Sequence, residues 1–281
     1  MYRKILFILL LPVFCYSQRT GFQFPLSTQT VAWENVLSTI PACNTTYAVN
    51  RWCIGTFNDG DFQLLDRFWL FGQDNQTNAG ISIPNPSSTA VTAVNSCAWN
   101  FLNYHGNGTS SYVNLNFTPS TQGVNFTQNS ASFGLYTNST GGLVDNMWEI
   151  GGEDGSHWNV LICRDNQTTP SNQTATDIND NGGGLNTTGD IGAVGGVYSV
   201  VRTSSTTSSI WNRGVQAISG TNASNGVTSK SIYACASNMN GTAGQFSIRQ
   251  ISLVFFGGGG INQLNFWNRT QSLAFEMGFG L

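Results

Sequence analysis

Charge is scarce in this chain: 9% of its 281 residues are Asp, Glu, Lys or Arg, and two are histidine. The basic residues, among them Arg51, Arg67, Arg164, Arg202, Arg213, Lys230, Arg249 and Arg269, stand far apart. No basic stripe can therefore track a phosphate backbone, which excludes nucleic acid as a partner. Neither His105 nor His157 has a Cys or Asp at zinc or triad spacing, and no Gly-x-Ser-x-Gly turn occurs, so zinc and serine hydrolysis lack their groups. The glycines at Gly257 to Gly260 are not followed by the Lys-Ser/Thr of a phosphate loop and read as a flexible joint between a strand and a helix.

Long apolar runs are also missing. The run from Ile5 to Phe14 is shorter than the roughly 20 residues a membrane helix needs. Preceded by Arg3 and Lys4 and followed by the small Cys15 and Ser17, it reads as an export leader over residues 1–17, with the mature chain starting at Gln18. An uncleaved anchor is the lesser alternative, and Phe14 stands where a lipidated Cys15 would want a small residue. Loss of the leader leaves 9 basic against 14 acidic residues and moves the formal net charge from −3 to −5.

What the chain does have is alternation. From Gly106 to Tyr136, apolar side chains fall on every second residue: Val113, Leu115 and Phe117 on one face, Asn114 and Asn116 on the other, then Ala131, Phe133 and Leu135. With 40% hydrophobic and 12% aromatic residues, the chain can bury a core despite its Asn, Gly, Ser and Thr content. No linker divides residues 18–281, so a single domain is expected.

Further strands are expected at DRFWLF (66–71, apolar on both faces), MWEI (147–150), HWNVLIC (157–163), VYSVVR (197–202), SIYACAS (231–237) and FSIRQISLVFF (246–256). ISIPNPSST, with its prolines, cannot be a central strand. MWEI and HWNVLIC form one hairpin, and Asn212, Arg213 and Gly214 turn another. The polar stretch from Asp165 to Asp190 reads as a long surface loop. Helices are expected at about 28–40, through Val31, Val36, Leu37 and Ile40, and at about 261–277, through Leu264, Trp267 and Phe275 with Asn262 as cap. The fold class is therefore all-β, a two-layer antiparallel β-sandwich with short N- and C-terminal helices.

Five cysteines follow the leader. Cys43 and Cys53 are the preferred disulfide, closing a short loop, while pairing among Cys97, Cys163 and Cys235 stays open, and several could be plain buried hydrophobes. Asn-x-Ser/Thr triplets, as at Asn44, Asn75, Asn107, Asn138, Asn186 and Asn268, are glycan sites in a eukaryotic route and a product of composition in a bacterial or phage one; the leader's Tyr-Ser-Gln ending favours the latter.

Several segments together resemble a group of phage and prophage proteins with a concanavalin A-like (laminin-G-like) jelly-roll, structural or tail-associated. The matching segments, from about Trp33 onward, are VAWENVLSTI, LLDRFWLFG, NPSSTAV, GNGTSSYVNLNFTPST, NFTQNSASFGLY, Ile178 to Asp180, VYSVVRT, the Asn-Arg-Gly turn and FFGGGGINQLNFW. The resemblance implies a concanavalin A-like jelly-roll and a virion structural or attachment role. The chain differs from that group in its leader, its N-terminal cysteines and its glycine run.

Concanavalin A-like folds also include glycoside hydrolases, but those need acids alternating along one strand, and in MWEIGGED the middle place is Gly151, leaving Glu149 and Glu153. No catalytic residue is assigned. Asp177, Asn179 and Asn181 alternate before Gly182 like the oxygen ligands of a calcium loop, although position twelve is Thr188 rather than Glu; Asp59 and Asp61 are a weaker set. Exposed tryptophans stack on sugars, and Trp148, Trp158 and Trp211 are the candidate ligand-binding rings.

The leading expectation is a non-enzymatic structural or attachment protein, secreted or on a virion surface, that forms a homo-oligomer or meets other virion or surface proteins. The alternatives are a secreted lectin-like protein that binds surface glycans, and a glycoside hydrolase.

Overall fold

The computed structural model describes residues 26–39, 41, 43–137, 146–165, 173–187, 189, 191 and 195–280. The leader, Ile40 and Thr188 lie outside these. Among the described residues the strands form three sheets. The first runs β1 (Leu65–Leu70), β18 (Leu253–Gly257), β6 (Ala131–Thr137), β11 (Gly196–Arg202), β12 (Thr207–Asn212) and β13 (Val215–Thr221). The second runs β10 (Leu185–Asn186), β9 (Gln173–Asp180), β8 (Trp158–Asp165), β7 (Ile150–Glu153), β14 (Tyr233–Ala234), β5 (Tyr112–Asn114) and β2 (Thr92–Val94). β15 (Ser237–Met239) joins it beside β7 and pairs with β16 (Thr242–Gly244), and a small sheet holds β17 (Gln250–Ile251), β4 (Asn103–His105) and β3 (Ala98–Asn100). All pairings are antiparallel except β15 with β7. The architecture is the expected all-β two-layer sandwich.

Its core lies where the alternation put it. Val113, Leu115, Phe117, Ala131, Phe133 and Leu135 are all fully buried and meet Ile150, Leu161 and Ile178 of the second sheet. The regular strand nevertheless ends at Asn114, where Asn116 takes a φ of 50° and turns its amide onto the Ala90 carbonyl at 2.6 Å, although Leu115 and Phe117 still bond to the Ile232 backbone. Every residue of β1, β6, β11 and β18 is buried, so this part of the first sheet is covered on both faces, while β13 is largely exposed.

Helices cover its far side: α1 (Thr28–Glu34), α2 (Cys43–Asn58) and α3 (Gln263–Glu276). Trp33, Ala48, Val49, Trp52, Phe266 and Leu273 pack there on Phe68, Tyr136 and Phe255, with Trp52 4.0 Å from the Phe68 ring. Ser27 caps α1 by accepting from Thr30 N at 3.1 Å, and Asn262 caps α3 as expected, accepting from Asn265 N at 3.1 Å.

Several expectations need correction. α1 ends at Glu34 and is anchored by Trp33, with Val36 43% exposed. α2 was not expected at all. α3 buries Phe266, Thr270, Leu273 and Ala274 and leaves Leu264 and Phe275 52% and 74% exposed, so the apolar face assigned from sequence was the wrong one. The stretch from Asp165 to Asp190 is not one surface loop: β9 is buried along most of its length. Its polar groups are satisfied in place, as where Thr174 Oγ1 donates to the Cys163 carbonyl at 3.0 Å and Asn179 Nδ2 to that of Thr127 at 2.8 Å.

The Cys43–Cys53 bridge is also overturned. Both lie on α2, ten residues and so about 15 Å apart along the axis, where a disulfide spans no more than about 7 Å between Cα atoms, and Cys53 is a free, buried thiol.

Both expected hairpins are present, the first with its leading strand shifted from 147–150 to Ile150–Glu153, so that Gly151 and Gly152 are strand rather than turn. β7 pairs with β8, and β12 with β13 around Arg213 and Gly214, whose φ values of 51° and 74° are those of a type I′ turn. Asp66 pins the sandwich end: its carboxylate accepts from the backbone of Val124, Asn125 and Phe126 at 3.1, 2.9 and 2.8 Å.

The glycine run is a close-packed joint rather than a flexible one. A Cβ on Gly259 would stand 2.1 Å from the Arg202 carbonyl, whereas on Gly260 its nearest neighbour is a Leu64 methyl at 3.3 Å. Gly259→Ala is expected to lower the unfolding free energy by about 1–3 kcal/mol in urea titrations, and Gly260→Ala by clearly less. Equal losses would refute the packing argument.

Candidate functional site

The tryptophans chosen from sequence do not make one site. Trp148 and Trp158 meet on the outer face of the second sheet, ring centroids 5.9 Å apart, but Trp148 is buried, lying over Gly151, where a Cβ would come within 2.4 Å of its ring. Trp158 is half-buried. Trp211 is on β12 of the other sheet, half-buried, with Nε1 donating to Ser209 Oγ at 2.8 Å. Trp148 therefore cannot offer a stacking surface.

The oxygens proposed for calcium are likewise engaged separately. Asp177 accepts from Gly184 N at 2.9 Å, the Asn179 amide donates to the 127–128 backbone, and Asn181 is exposed beyond the strand. A strand in place of a ligand loop is the physical reason. Asp59 pairs with Arg269 at 2.8 Å, and Asp61 accepts from Asn262 N at 2.8 Å at the start of α3. Among the described residues no three His, Cys, Asp or Glu side chains are grouped to hold a metal. Glu149 is fully buried and accepts from Cys163 N at 2.7 Å, and Glu153 accepts from Gly155 N.

A cleft of about 270 Å³ opens elsewhere, where the helical layer meets the β3–β4 hairpin. Asn44 and Thr45 from the start of α2, Gln73 and Asp74 after β1, Phe101 and Leu102 from the hairpin tip, and Glu276 and Met277 at the end of α3 line it. The hairpin is held by Trp99, whose Nε1 donates to the Phe71 carbonyl at 3.1 Å, and its tip by Asn100, whose side chain accepts from Leu102 N and Asn103 N at 2.8 and 3.0 Å. This leaves the Phe101 ring 67% exposed, edge-on to Trp99 at 5.3 Å.

Two of the residues that line this cleft each carry a buried acceptor without a donor. Gln73 is buried and spends its amide N–H groups on the carbonyls of Leu70 and Asn78 at 2.8 and 3.4 Å, which leaves Oε1 unpaired. Glu276 accepts from Arg51 at 2.6 Å through Oε1, and its buried Oε2 has no partner. Asp74 beside them accepts from Thr45 Oγ1 at 3.0 Å. A buried acceptor without a donor costs about 1–3 kcal/mol. None of these residues was singled out from the sequence; the signal available was Phe101 and Leu102, two apolar residues between the asparagines of a turn.

No protein-family model matches the sequence, and comparison with curated protein sequences gave no match. In structure the chain is similar to domain 4 of AbnA, an extracellular GH43 arabinanase from Geobacillus stearothermophilus, solved with arabinotriose. The TM-score is 0.48 at 11% identity, over 73% of this chain and 98% of that domain. It is also similar to a Trypanosoma rangeli sialidase, with a TM-score of 0.45 at 12% identity over 76% of this chain and 33% of the sialidase. A third likeness is to the CBM40 of a Ruminococcus gnavus IT-sialidase bound to α2,3-sialyllactose, with a TM-score of 0.33 at 10% identity over 46% and 74%. With TM-scores under 0.5, these likenesses carry no argument about the ligand of this chain.

Burial sets the electrostatics away from the cleft. Desolvation pushes the Glu149 carboxyl up to about 7 against the pull of Arg249, and Asp61 up to about 6. Burial together with Asp180 raises Asp177 as well. Each of these carboxyls holds its proton more tightly folded than unfolded, so its contribution is full below the unfolded value, near 4.5 for Glu149 and 3.8 for the aspartates, and is lost as pH rises through the folded one. The unfolding midpoint is expected to fall between about pH 4.5 and pH 7, with a smaller slope in Glu149→Gln; a slope unchanged by that substitution would show that Glu149 titrates normally.

Proposed function

We propose that this chain is a non-enzymatic recognition module of a cell or particle exterior that binds an uncharged glycan in the cleft between α2, α3 and the β3–β4 hairpin. The observation that carries this reading is the pairing of the donor-less acceptors Gln73 Oε1 and Glu276 Oε2 with the exposed Phe101 ring. A sugar answers both: its hydroxyls donate to the acceptors, and its C–H face lies against the ring. The two acids of the cleft, Asp74 and Glu276, face one nearby cation, Arg51, a balance that disfavours anionic sugars and suits neutral ones. The exterior setting draws on the export leader, and the virion surface on the resemblance to phage sandwich proteins.

An array of neutral and acidic glycans probed with the mature chain is expected to give neutral ligands. Phe101→Ala, at an exposed hairpin tip, should weaken the best of them about tenfold by calorimetry, with thermal stability unchanged. Absence of glycan binding, or binding indifferent to Phe101→Ala, would remove the proposal. Copurification of the chain with particles separates the virion setting from free secretion.

A further inference from the structure

Four described cysteines, Cys53, Cys97, Cys163 and Cys235, are buried. Cys53 sits in the helix-side core against Thr30 and Ser27, and the Cys163 thiol faces the Glu149 carboxylate. Cys97 and Cys235 meet each other instead. Cys97, just ahead of β3, donates its thiol to the His105 carbonyl at 3.3 Å. A Cβ on the next residue, Gly106, would stand 3.1 Å from Cys235 Cβ. The two side chains thus stand against one peptide unit, close enough that Cys97 raises the pKa of the Cys235 thiol, which also donates to the Arg249 carbonyl at 3.8 Å. Cys235 also holds a φ of 63°, a left-handed conformation that is rare for a residue with a side chain and marks a position over-determined by its surroundings.

We propose that Cys97 and Cys235 are an oxidisable pair that closes to a disulfide, tying the β3–β4 hairpin to the β14–β15 segment of the second sheet. The oxidant is a disulfide of the glutathione or exchange-protein class. One cysteine thiolate attacks a sulfur of that disulfide, breaking its S–S bond, forming a mixed disulfide and releasing one thiol. The second cysteine attacks the mixed disulfide, forming the Cys97–Cys235 bond and releasing the other thiol, so the oxidant gains two electrons and two protons and the chain loses them. Because both side chains are buried, the exchange belongs to folding, before the core closes, and the finished bridge is shielded from reductant. The bridge closes about half of the chain, residues 97–235, into one covalent loop, and long loops are the case in which a cross-link restricts the unfolded ensemble most.

The full mature chain is refolded with glutathione disulfide and, in parallel, with dithiothreitol, then compared by intact mass, peptide mapping without reduction and thermal unfolding. The expected result is an oxidised form lighter by two hydrogens, a linked peptide joining Cys97 to Cys235, and a Tm several degrees above that of the reduced form, with no such shift in Cys97→Ser. Wild-type mapping decides the matter even if Cys97→Ser fails to fold. Retention of both thiols after oxidative refolding, or a bridge from either residue to any other cysteine, would overturn the proposal.

Discussion

Four strands of the first sheet, β1, β18, β6 and β11, are covered on both faces, and this constraint organises everything else. Phe68, Leu70, Tyr136 and Phe255 point one way, and Trp69, Phe133, Leu135 and Phe256 the other. Two apolar faces require two covering layers. The second sheet supplies one and the helices the other, so a chain expected to be a sandwich with decorations is a sandwich in which the helices form half of the shielding. The cleft is a by-product of that arrangement. It opens at the rim where the helical layer stops and the β3–β4 hairpin begins, and it draws its lining from four separate chain segments.

The strands were legible because burial on one face imposes period two, and Val113, Leu115, Phe117, Ala131, Phe133 and Leu135 obey it without exception. DRFWLF was legible as a strand covered on both sides for the same reason. Both hairpin turns followed from their glycines. The failures have a common cause: in this composition polar residues are placed inside. β9 was read as loop because Thr174, Thr176 and Asn179 look solvated, yet each is buried. α2 was missed because Asn, Thr and Gly hide its stripe of Ala48, Val49, Trp52, Cys53 and Thr56, whose spacing is nonetheless helical.

The site was the least legible part. Ring size pointed to tryptophan, but large rings are the most valuable core fillers, and Trp33, Trp52 and Trp69 are spent there, with Trp148 nearly so. The exposed ring is a phenylalanine on a turn held by asparagine. The acceptors beside it become informative only when the hydrogen bonds of Gln73 and Glu276 are counted, an accounting that depends on three-dimensional neighbours.

Uncharged hydrogen bonds, more than ion pairs, join the parts of this molecule, and the pairs Arg51–Glu276 and Arg269–Asp59 are partly open to solvent. Dissolved electrolyte weakens Coulomb attraction beyond about 10 Å at 0.1 M, and weakens it most at the surface. It leaves apolar contact and buried amide bonding almost untouched. A scaffold assembled in this way keeps its shape in fresh water and in brine alike.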